Sequence, residues 1–242
     1  MKRYVFAGIL VLLIVLLVTF PARVAYQWFA PPDLTLSGIS GSVWSGSAAE
    51  GLAGGAYIQD ISWTLQPSAL LSGKLAFDTV SRPASGTMQT RVAAGLNGAL
   101  TFSDLSGSVP LDLVHPAFQQ GGISGDLRLD FETLTLQNGV PVDAKGSIVV
   151  SDFFARDLSA GAIGDFRADI ETVDGGISGR LDDVSGVLDI EGTIVLSADR
   201  TYSLIGDVAA RPGAPPSIEQ QLRYLGSADE RGFRQFRFEG SL

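Results

Sequence analysis

The 242-residue sequence contains no cysteine and only one histidine, and both absences restrict its chemistry. Without cysteine, neither a disulfide framework nor a thiolate metal site can form. The histidine, His115, precedes Pro116 in an apolar stretch, and no motif supplies the oriented partner that a general base needs. The sequence also lacks a Gly-x-Ser-x-Gly elbow, a phosphate-binding loop and a calcium loop. It therefore predicts a protein that is not an enzyme and has no catalytic, cofactor or metal site.

Charged residues make up only 18% of the sequence, and the two signs are unevenly distributed. All 26 acidic residues lie at Asp33 or later, together with 14 of the 17 basic residues, so this part carries a net charge of −12. Such a domain repels phosphate, which argues against nucleic-acid binding. A basic cluster near the C-terminus is matched by an equal number of acids, which predicts a solvated face. Its members are Arg223, Arg231, Arg234 and Arg237, with Glu219, Asp229, Glu230 and Glu239.

The N-terminal segment contains the one long apolar run. Two basic residues precede a stretch from Tyr4 to Phe20 that carries no charge. A helix that continued through Pro21 to Tyr26 would be about 33 Å long, which matches a bilayer core. Because the run is longer than the apolar region of a signal peptide, we expect an uncleaved transmembrane anchor, with cleavage near residues 22–25 as the alternative. The positive-inside rule then places the N-terminus in the cytoplasm.

These features divide the chain into two parts. Residues 1–32 are expected to form a cytoplasmic tip, a single transmembrane anchor and a proline-containing spacer. Residues 33–242 are expected to form a β domain outside the membrane, in the periplasm if the cell has two membranes. The sequence Gly-Ile-Ser-Gly recurs at Gly38, Gly122 and Gly176. Its recurrence indicates either chance in a glycine-rich chain or a duplicated β unit. The candidate halves are residues 33–113 and 114–242.

Short apolar–polar alternations separated by glycine dominate the second part, as in antiparallel sheets. The clearest one covers Gly125–Leu136, and its change of phase near Thr133 predicts a β-bulge. Asn138–Gly139 predicts a tight hairpin, and Leu188–Val208 predicts a long one. A turn is expected at Leu105–Gly107.

The expected fold is therefore mainly β. A long, twisted and curved antiparallel sheet would follow the N-terminal transmembrane helix and form an open half-barrel or roll. Helix would be limited to one or two short pieces, one of them near Ser217, whose spacing to Gln220 fits a capping box. A closed barrel and a sandwich remain alternatives.

Two of the three tryptophans lie in neighbouring strand-like runs. The first run, Gly41–Ala48, reads Gly-Ser-Val-Trp-Ser-Gly-Ser-Ala, and the second, Trp63–Leu75, reads Trp-Thr-Leu-Gln-Pro-Ser-Ala-Leu-Leu-Ser-Gly-Lys-Leu. Both tryptophans are expected to be structural, because each lies in an alternation with glycines that allow close packing. The positions that define this structural motif are Gly41, Val43, Trp44, Gly46, Trp63, Leu65, Pro67, Leu70, Leu71 and Gly73.

With these motifs, the sequence resembles the protein N family of the type II (general) secretion pathway. Further similarity occurs at residues 116–122, 186–192 and 222–242. The resemblance implies a component of the type II secretion system that is anchored in the inner membrane and acts through protein–protein contacts in the periplasm. Its partners would be other proteins of that system, and no cofactor is implied.

The sequence is also similar to the wider AsmA-like group of membrane-anchored periplasmic β proteins. That similarity implies an alternative function, a carrier of lipid or another amphiphile in an apolar groove. An anchored hydrolase is the least supported interpretation, because no nucleophile has a base beside it. The apolar side chains of the sheet can discriminate: a groove open to solvent favours the carrier, and a second layer over them favours the secretion component. The side chains concerned are those of Leu127, Leu129, Phe131, Leu188, Ile190 and Ile194.

Overall fold

One open antiparallel sheet forms most of the structure. The structure is a computed structural model, and it describes residues 2–30, 34–53, 56–71, 73–83, 86–95, 97–114 and 120–241. The described strands are β1 (Leu34–Ser37), β2 (Ser40–Gly41), β3 (Ser45–Ala53), β4 (Ala56–Leu65), β5 (Leu75–Pro83), β6 (Met88–Ala94), β7 (Leu100–Pro110), β8 (Ile123–Gln137), β9 (Val140–Ala155), β10 (Gly164–Val173), β11 (Gly176–Gly186), β12 (Leu188–Ser197), β13 (Thr201–Ala210) and β14 (Arg234–Ser241). The described helices are α1 (Lys2–Val18), α2 (Ala22–Phe29), α3 (Pro67–Leu70), α4 (Leu111–Val114) and α5 (Pro216–Leu222), followed by a 3₁₀ turn (Arg223–Leu225).

The strands follow one another across the sheet in sequence order from β3 to β14, so each one pairs with its chain neighbours. Both β1 and β2 pair with β3 at one edge, and β14 forms the other. In the described part of the chain these two edges do not meet, so the predicted open antiparallel sheet is confirmed and a closed barrel is excluded.

Strands β9 and β11 approach within 8 Å although β10 lies between them. A flat sheet would separate them by about 9.6 Å, so the sheet is curved there.

The two faces of the sheet differ in polarity. Residues directly opposite each other on neighbouring strands share a face. One continuous row on the apolar face crosses five strands and consists of Phe77, Val92, Phe102, Leu134 and Ala144. The opposite, charged face carries ion pairs between exposed side chains, each of which contributes little stability on its own. These pairs join Arg91 to Asp78, Lys145 to Glu132, Arg167 to Asp169, and Arg180 to Asp182.

The N-terminal segment forms two helices rather than the single long helix expected from the sequence. Helix α1 ends at Val18, and α2 begins at Ala22. Pro21 lacks the N–H that would continue the helix and disfavours helical geometry at Phe20, which explains the break. Among the residues that the structure describes, no helix combines the length and the apolar character needed to cross a membrane.

Several β-bulges occur within long strands. The expected bulge near Thr133 is confirmed by a shift in register between Phe131 and Thr133. The turn expected at Leu105–Gly107 is wrong, because β7 continues through these residues and is bulged at Asp104, where φ is +53°. Two other aspartates, Asp60 and Asp152, have positive φ at shifts of register. Aspartate tolerates this conformation better than most residues, so an aspartate can mark a bulge inside a strand.

Helix α5 covers one corner of the apolar face. Ile218 and Leu222 are buried there against Leu188, Val208 and Ile163. The expected capping box is wrong, since Ser217 lies inside the helix and its hydroxyl donates to the Leu158 carbonyl at 3.0 Å. Proline occupies the first helical position and has no backbone N–H that would need a hydrogen-bond acceptor, so an N-terminal cap is less necessary.

Candidate functional site

The glycine and tryptophan motif of the sequence corresponds to one packed unit at the start of the sheet. We call this unit the tryptophan junction (Leu17, Ser42, Trp44, Gly46 and Trp63). The Trp63 ring lies directly over Gly46, where a Cβ atom would stand 2.6 Å from ring atom Cζ2. The indole N–H of Trp63 donates to the Ser42 carbonyl at 3.3 Å. Only glycine therefore fits at position 46 without a shift of the ring.

The junction also holds the C-terminal end of α1. The indole N–H of Trp44 donates to the Leu17 carbonyl at 2.7 Å, and the same carbonyl accepts the Phe20 N–H at 3.3 Å at the end of the helix. The backbone N–H of Val43 donates to the Phe20 carbonyl at 3.0 Å, and that of Leu65 donates to the Trp44 carbonyl at 2.6 Å. The end of α1 is thus connected through Trp44 to the last residue of β4.

Helix α2 packs on the sheet beside the junction. Ala22 is buried with Ile39 and Ala48. The Tyr26 hydroxyl donates to the Leu34 carbonyl at 3.1 Å and accepts from the Leu36 N–H at 2.9 Å, which fixes β1 against the helix. This corner of the apolar face is therefore covered by α2, as the opposite corner is covered by α5.

The motif positions divide into two groups in the structure. Those from Gly41 to Leu65 meet at or next to the tryptophan junction, where Gly41 has a φ of +84° that favours glycine. The remaining four form the turn between β4 and β5: Pro67 begins α3, and Gly73 has a φ of +69°. Leu70 and Leu71 are not packed in a core, since they are 48% and 93% exposed.

Two grooves lie on the apolar face. The first, of about 330 Å³, lies beside α2 and is lined by Val43, Trp63 and Phe77 among others. The second, also of about 330 Å³, crosses the middle of the sheet and is lined entirely by apolar residues and glycine. Because the row from Phe77 to Ala144 connects them, both grooves belong to the same face.

The six discriminating side chains are divided between open and covered positions. Leu129, Phe131 and Ile194 line the second groove. Leu188 is buried under α5, and Ile190 packs against the same cluster. Leu127, on β8, is half-buried. No second sheet lies over the groove in the part of the chain that the structure describes. The geometry therefore provides an apolar surface between two helical covers.

The charged face has a cleft of about 600 Å³ whose charges compensate one another. The pKa of Lys145 is raised by its hydrogen bond to Glu132 and by the charge of that carboxylate. The pKa of Asp169 is lowered by the Arg167 guanidinium that hydrogen-bonds to it. The charges of the cleft are thus paired with one another across its lining.

Over the described ranges, no group of three or more metal-ligating side chains could hold an ion. His115 lies outside the described residues. Three of the four C-terminal arginines have local partners: Arg231 pairs with Asp229, Arg237 pairs with Glu239, and the Arg234 guanidinium donates to the Gly226 carbonyl.

The fold and these surfaces define a class of protein: a single-sheet β protein with an N-terminal apolar helix, suited to binding through its faces and edges. The chain belongs to the family "Type II secretion system (T2SS), protein N", whose sequence profile matches residues 32–237. It is thus a member of a family of secretion-system components.

Two relatives carry the same family name. The chain is 28% identical to the type II secretion system protein N of Vibrio cholerae serotype O1 (strain ATCC 39315 / El Tor Inaba N16961), with both chains covered completely. It is 24% identical to the protein of that name from Aeromonas hydrophila, over 94% of this chain and 93% of the relative. No solved structure gives a significant match.

Proposed function

We propose that this protein is a non-catalytic component of the type II secretion system, anchored in the inner membrane, whose sheet contacts other secretion proteins in the periplasm. One observation carries the proposal: this member of the family is built as one open sheet, with two unpaired edges and a partly uncovered apolar face. Such edges and such a face can bind another protein, and binding requires no reactive side chain.

Helix α1 supports the membrane anchor. Its large apolar side chains for which exposure is described, from Tyr4 to Val18, are 49–84% exposed, so the sheet does not cover them. Its 17 residues span about 25 Å, short of a bilayer core of about 30 Å. A membrane accommodates a short segment by local thinning at modest cost. The basic residues Lys2 and Arg3 would then remain on the cytoplasmic side.

Strand β14 is the edge best suited to a partner. It pairs with β13 on one side only, so its other side offers backbone groups to an added strand. The opposite edge is interrupted, since β1 has four residues and β2 two, whereas β14 has eight. Phe236 and Phe238 lie on β14 with ring centroids 6.1 Å apart, and Phe238 is 57% exposed.

Site-specific photo-crosslinking tests this assignment. A photoreactive residue replaces Phe238 in cells that are actively secreting. The matched control replaces Val184, which is 59% exposed but lies on β11 in the interior of the sheet. We expect crosslinks to another component of the secretion system from position 238 and not from position 184. Equal labelling from both positions would show that β14 is not the contact.

A second candidate function is favoured by the second groove. A carrier of lipid or another amphiphile needs an apolar channel, and this groove has one of about 330 Å³. The protein would be isolated in detergent and its bound lipids identified. We expect Ile194→Glu to remove bound lipid if the groove is a carrier site, whereas Thr193→Glu, on the charged face of the same strand, should have no effect. Absence of lipid from the unsubstituted protein would eliminate this candidate.

A further inference from the structure

Three turns end on the same rim of the sheet as the C-terminal end of α1. The described residues of these turns are 66–71, 73–74, 95, 97–99 and 137–139, and we call this region the α1-side rim. The strand ends beside them are cross-strand neighbours, as Leu75 is opposite Ala94, and Leu100 is opposite both Ala94 and Leu136. The hydrogen bonds from Leu65 to Trp44 and from Trp44 to Leu17 place the end of α1 at this rim.

The three turns of the α1-side rim lack acidic residues and expose several leucines, whereas the turns between β10 and β11 and between β12 and β13, farther along the same end of the sheet, contain Asp174 and Asp199. The three rim turns contain no aspartate or glutamate, although the chain has 26 acids, all at Asp33 or later. Leu71 is 93% exposed, and Leu70, Leu75 and Leu100 are 42–48% exposed. The opposite end of the sheet carries acids in its connections, such as Asp157 and Asp229.

The turn after α3 combines apolar and basic character. Lys74 follows the two leucines, is exposed and forms no ion pair with the described residues. An apolar tip with an adjacent cation fits the interface of an anionic bilayer, where the leucines enter the acyl boundary and the ammonium meets a lipid phosphate. The net charge of −12 from Asp33 onward would otherwise repel such a surface.

We propose that the α1-side rim is a second membrane contact, in which Leu70 and Leu71 insert beside α1 and Lys74 binds an anionic lipid headgroup. This contact rests on the proposed anchor, because α1 brings the rim to the bilayer. The short α3 adds only about 6 Å between the end of β4 and the tip, so the tip stays close to the end of α1. Two contacts would hold the sheet in a fixed orientation with respect to the membrane.

The absence of cysteine allows a direct test in the full-length protein. Single cysteines at three positions are labelled with an environment-sensitive fluorophore, and each protein is reconstituted in vesicles of phosphatidylethanolamine and phosphatidylglycerol containing a lipid-attached quencher. Ser68→Cys reports the rim and leaves both leucines in place. Ser227→Cys, also exposed, reports the opposite end beside Tyr224, which is 79% exposed. Val11→Cys reports α1 itself.

We expect quenching at positions 11 and 68 and none at 227. Adding Leu70→Asp and Leu71→Asp should lower the membrane-bound fraction of the tip more than about tenfold, since burial of one leucine is worth about tenfold or more. Quenching at 11 but not at 68 would reject the rim contact and leave the anchor standing. Quenching at position 68 alone would support the rim contact and reject the anchor. Absence of quenching at both positions would reject both the rim contact and the anchor.

The role of Lys74 is tested by lipid composition. Lys74→Glu should weaken insertion of the tip about fivefold for each unit of charge in vesicles that contain phosphatidylglycerol, and should have little effect in phosphatidylcholine alone. Equal effects in both lipids would show that Lys74 does not bind an anionic headgroup. If position 68 stays unquenched in vesicles but crosslinks to a protein in cells, the rim binds a protein and the inference is wrong.

Discussion

At the scale of single residues, the tryptophan junction depends on a close contact between a ring and a glycine. The sequence predicted that Trp44 and Trp63 lie in strands beside glycines. This is confirmed for Trp63, which lies in β4, but is wrong for Trp44, which lies in the bend between β2 and β3. It could not predict that the Trp44 indole binds the Leu17 carbonyl, because this bond joins residues 27 positions apart and leaves no periodic signal. The structural role of both tryptophans stays a prediction.

Substitution of Gly46 tests the junction. We expect Gly46→Ala to destabilise the protein by about 1–3 kcal/mol, because its Cβ atom would stand 2.6 Å from the Trp63 ring and from the Ser40 carbonyl. Gly161→Ala is the matched control, as a Cβ atom there meets nothing within 4 Å, and should change stability by less than about 0.5 kcal/mol. Thermal denaturation in detergent measures both, and equal effects would refute the packing argument.

Trp63 gives a second prediction at this scale. Removing the ring with Trp63→Ala should cost about 2–4 kcal/mol, less than for a fully buried tryptophan, because Trp63 is half-buried. Secretion should fall only in proportion to the loss of folded protein. If the melting temperature is unchanged while secretion is lost, Trp63 is a contact residue and the structural interpretation is wrong.

A buried ion pair gives a third prediction. The side chain of Asp183 is 5% exposed, with one oxygen accepting the Ile190 N–H at 2.8 Å. The other oxygen accepts no well-directed hydrogen bond from the described residues and depends on Arg211, 2.6 Å away. Arg211→Met should cost about 1–2 kcal/mol, at the low end for a lost partner because Arg211 is 37% exposed and water can enter.

The control for this pair is Arg237→Met, which removes an ion pair with Glu239 between side chains 63% and 55% exposed. It should change stability by no more than about 0.5 kcal/mol. Replacing Asp183 with Asn together with Arg211→Met should restore part of the loss. Urea denaturation that gave the same loss for Arg211→Met and Arg237→Met would contradict the argument.

At the scale of elements, period-two alternation and the Asn138–Gly139 turn were sufficient to predict the β class and the hairpins. The turn has φ values of +52° and +77°, the two positive values that this dipeptide favours. The bulges at Asp60, Asp104 and Asp152 were not predicted, because aspartates such as Asp130 and Asp207 also precede an apolar residue within a strand and have no positive φ.

One of these bulges gives a pH-dependent prediction. The Asp165 carboxylate accepts the Asp152 N–H and the Ser185 hydroxyl, both at 2.8 Å, and so joins β9, β10 and β11. These hydrogen bonds lower the pKa of Asp165. Its contribution is therefore present above the unfolded pKa of about 4 and is lost as the pH falls through the lower folded pKa.

We expect Asp165→Asn to lower the melting temperature at pH 7 by roughly 2–4 °C, the shift that one lost hydrogen bond of about 1 kcal/mol produces in a domain of this size. The difference from the unsubstituted protein should shrink below about pH 4. Asp157→Asn is the control, since this exposed aspartate accepts no hydrogen bond seen in the described part of the chain. A difference independent of pH would exclude the carboxylate as the cause.

At the scale of the whole molecule, the sequence predicted an open sheet but left a closed barrel and a sandwich as alternatives. Closure depends on twist summed over all strands and on register shifts such as those at Gln59 and Gly164, and no local pattern encodes that sum. The division into halves 33–113 and 114–242 and the AsmA-like relation stay predictions, although the sheet runs without interruption from β7 to β8.

The last prediction concerns function in the cell. If the protein works by binding, deleting residues 33–242 while retaining the N-terminal segment should abolish type II secretion, because every surface that could contact a partner is lost. His115→Ala should leave secretion intact, since a binding role requires no general base. Secreted enzyme activity in the culture medium measures both, with periplasmic accumulation of the same enzyme as the sign of a secretion block. Loss of secretion in His115→Ala with normal protein levels would point to catalysis and reject the proposal. If deletion leaves secretion unchanged but redistributes envelope lipids, the carrier function replaces the secretion function.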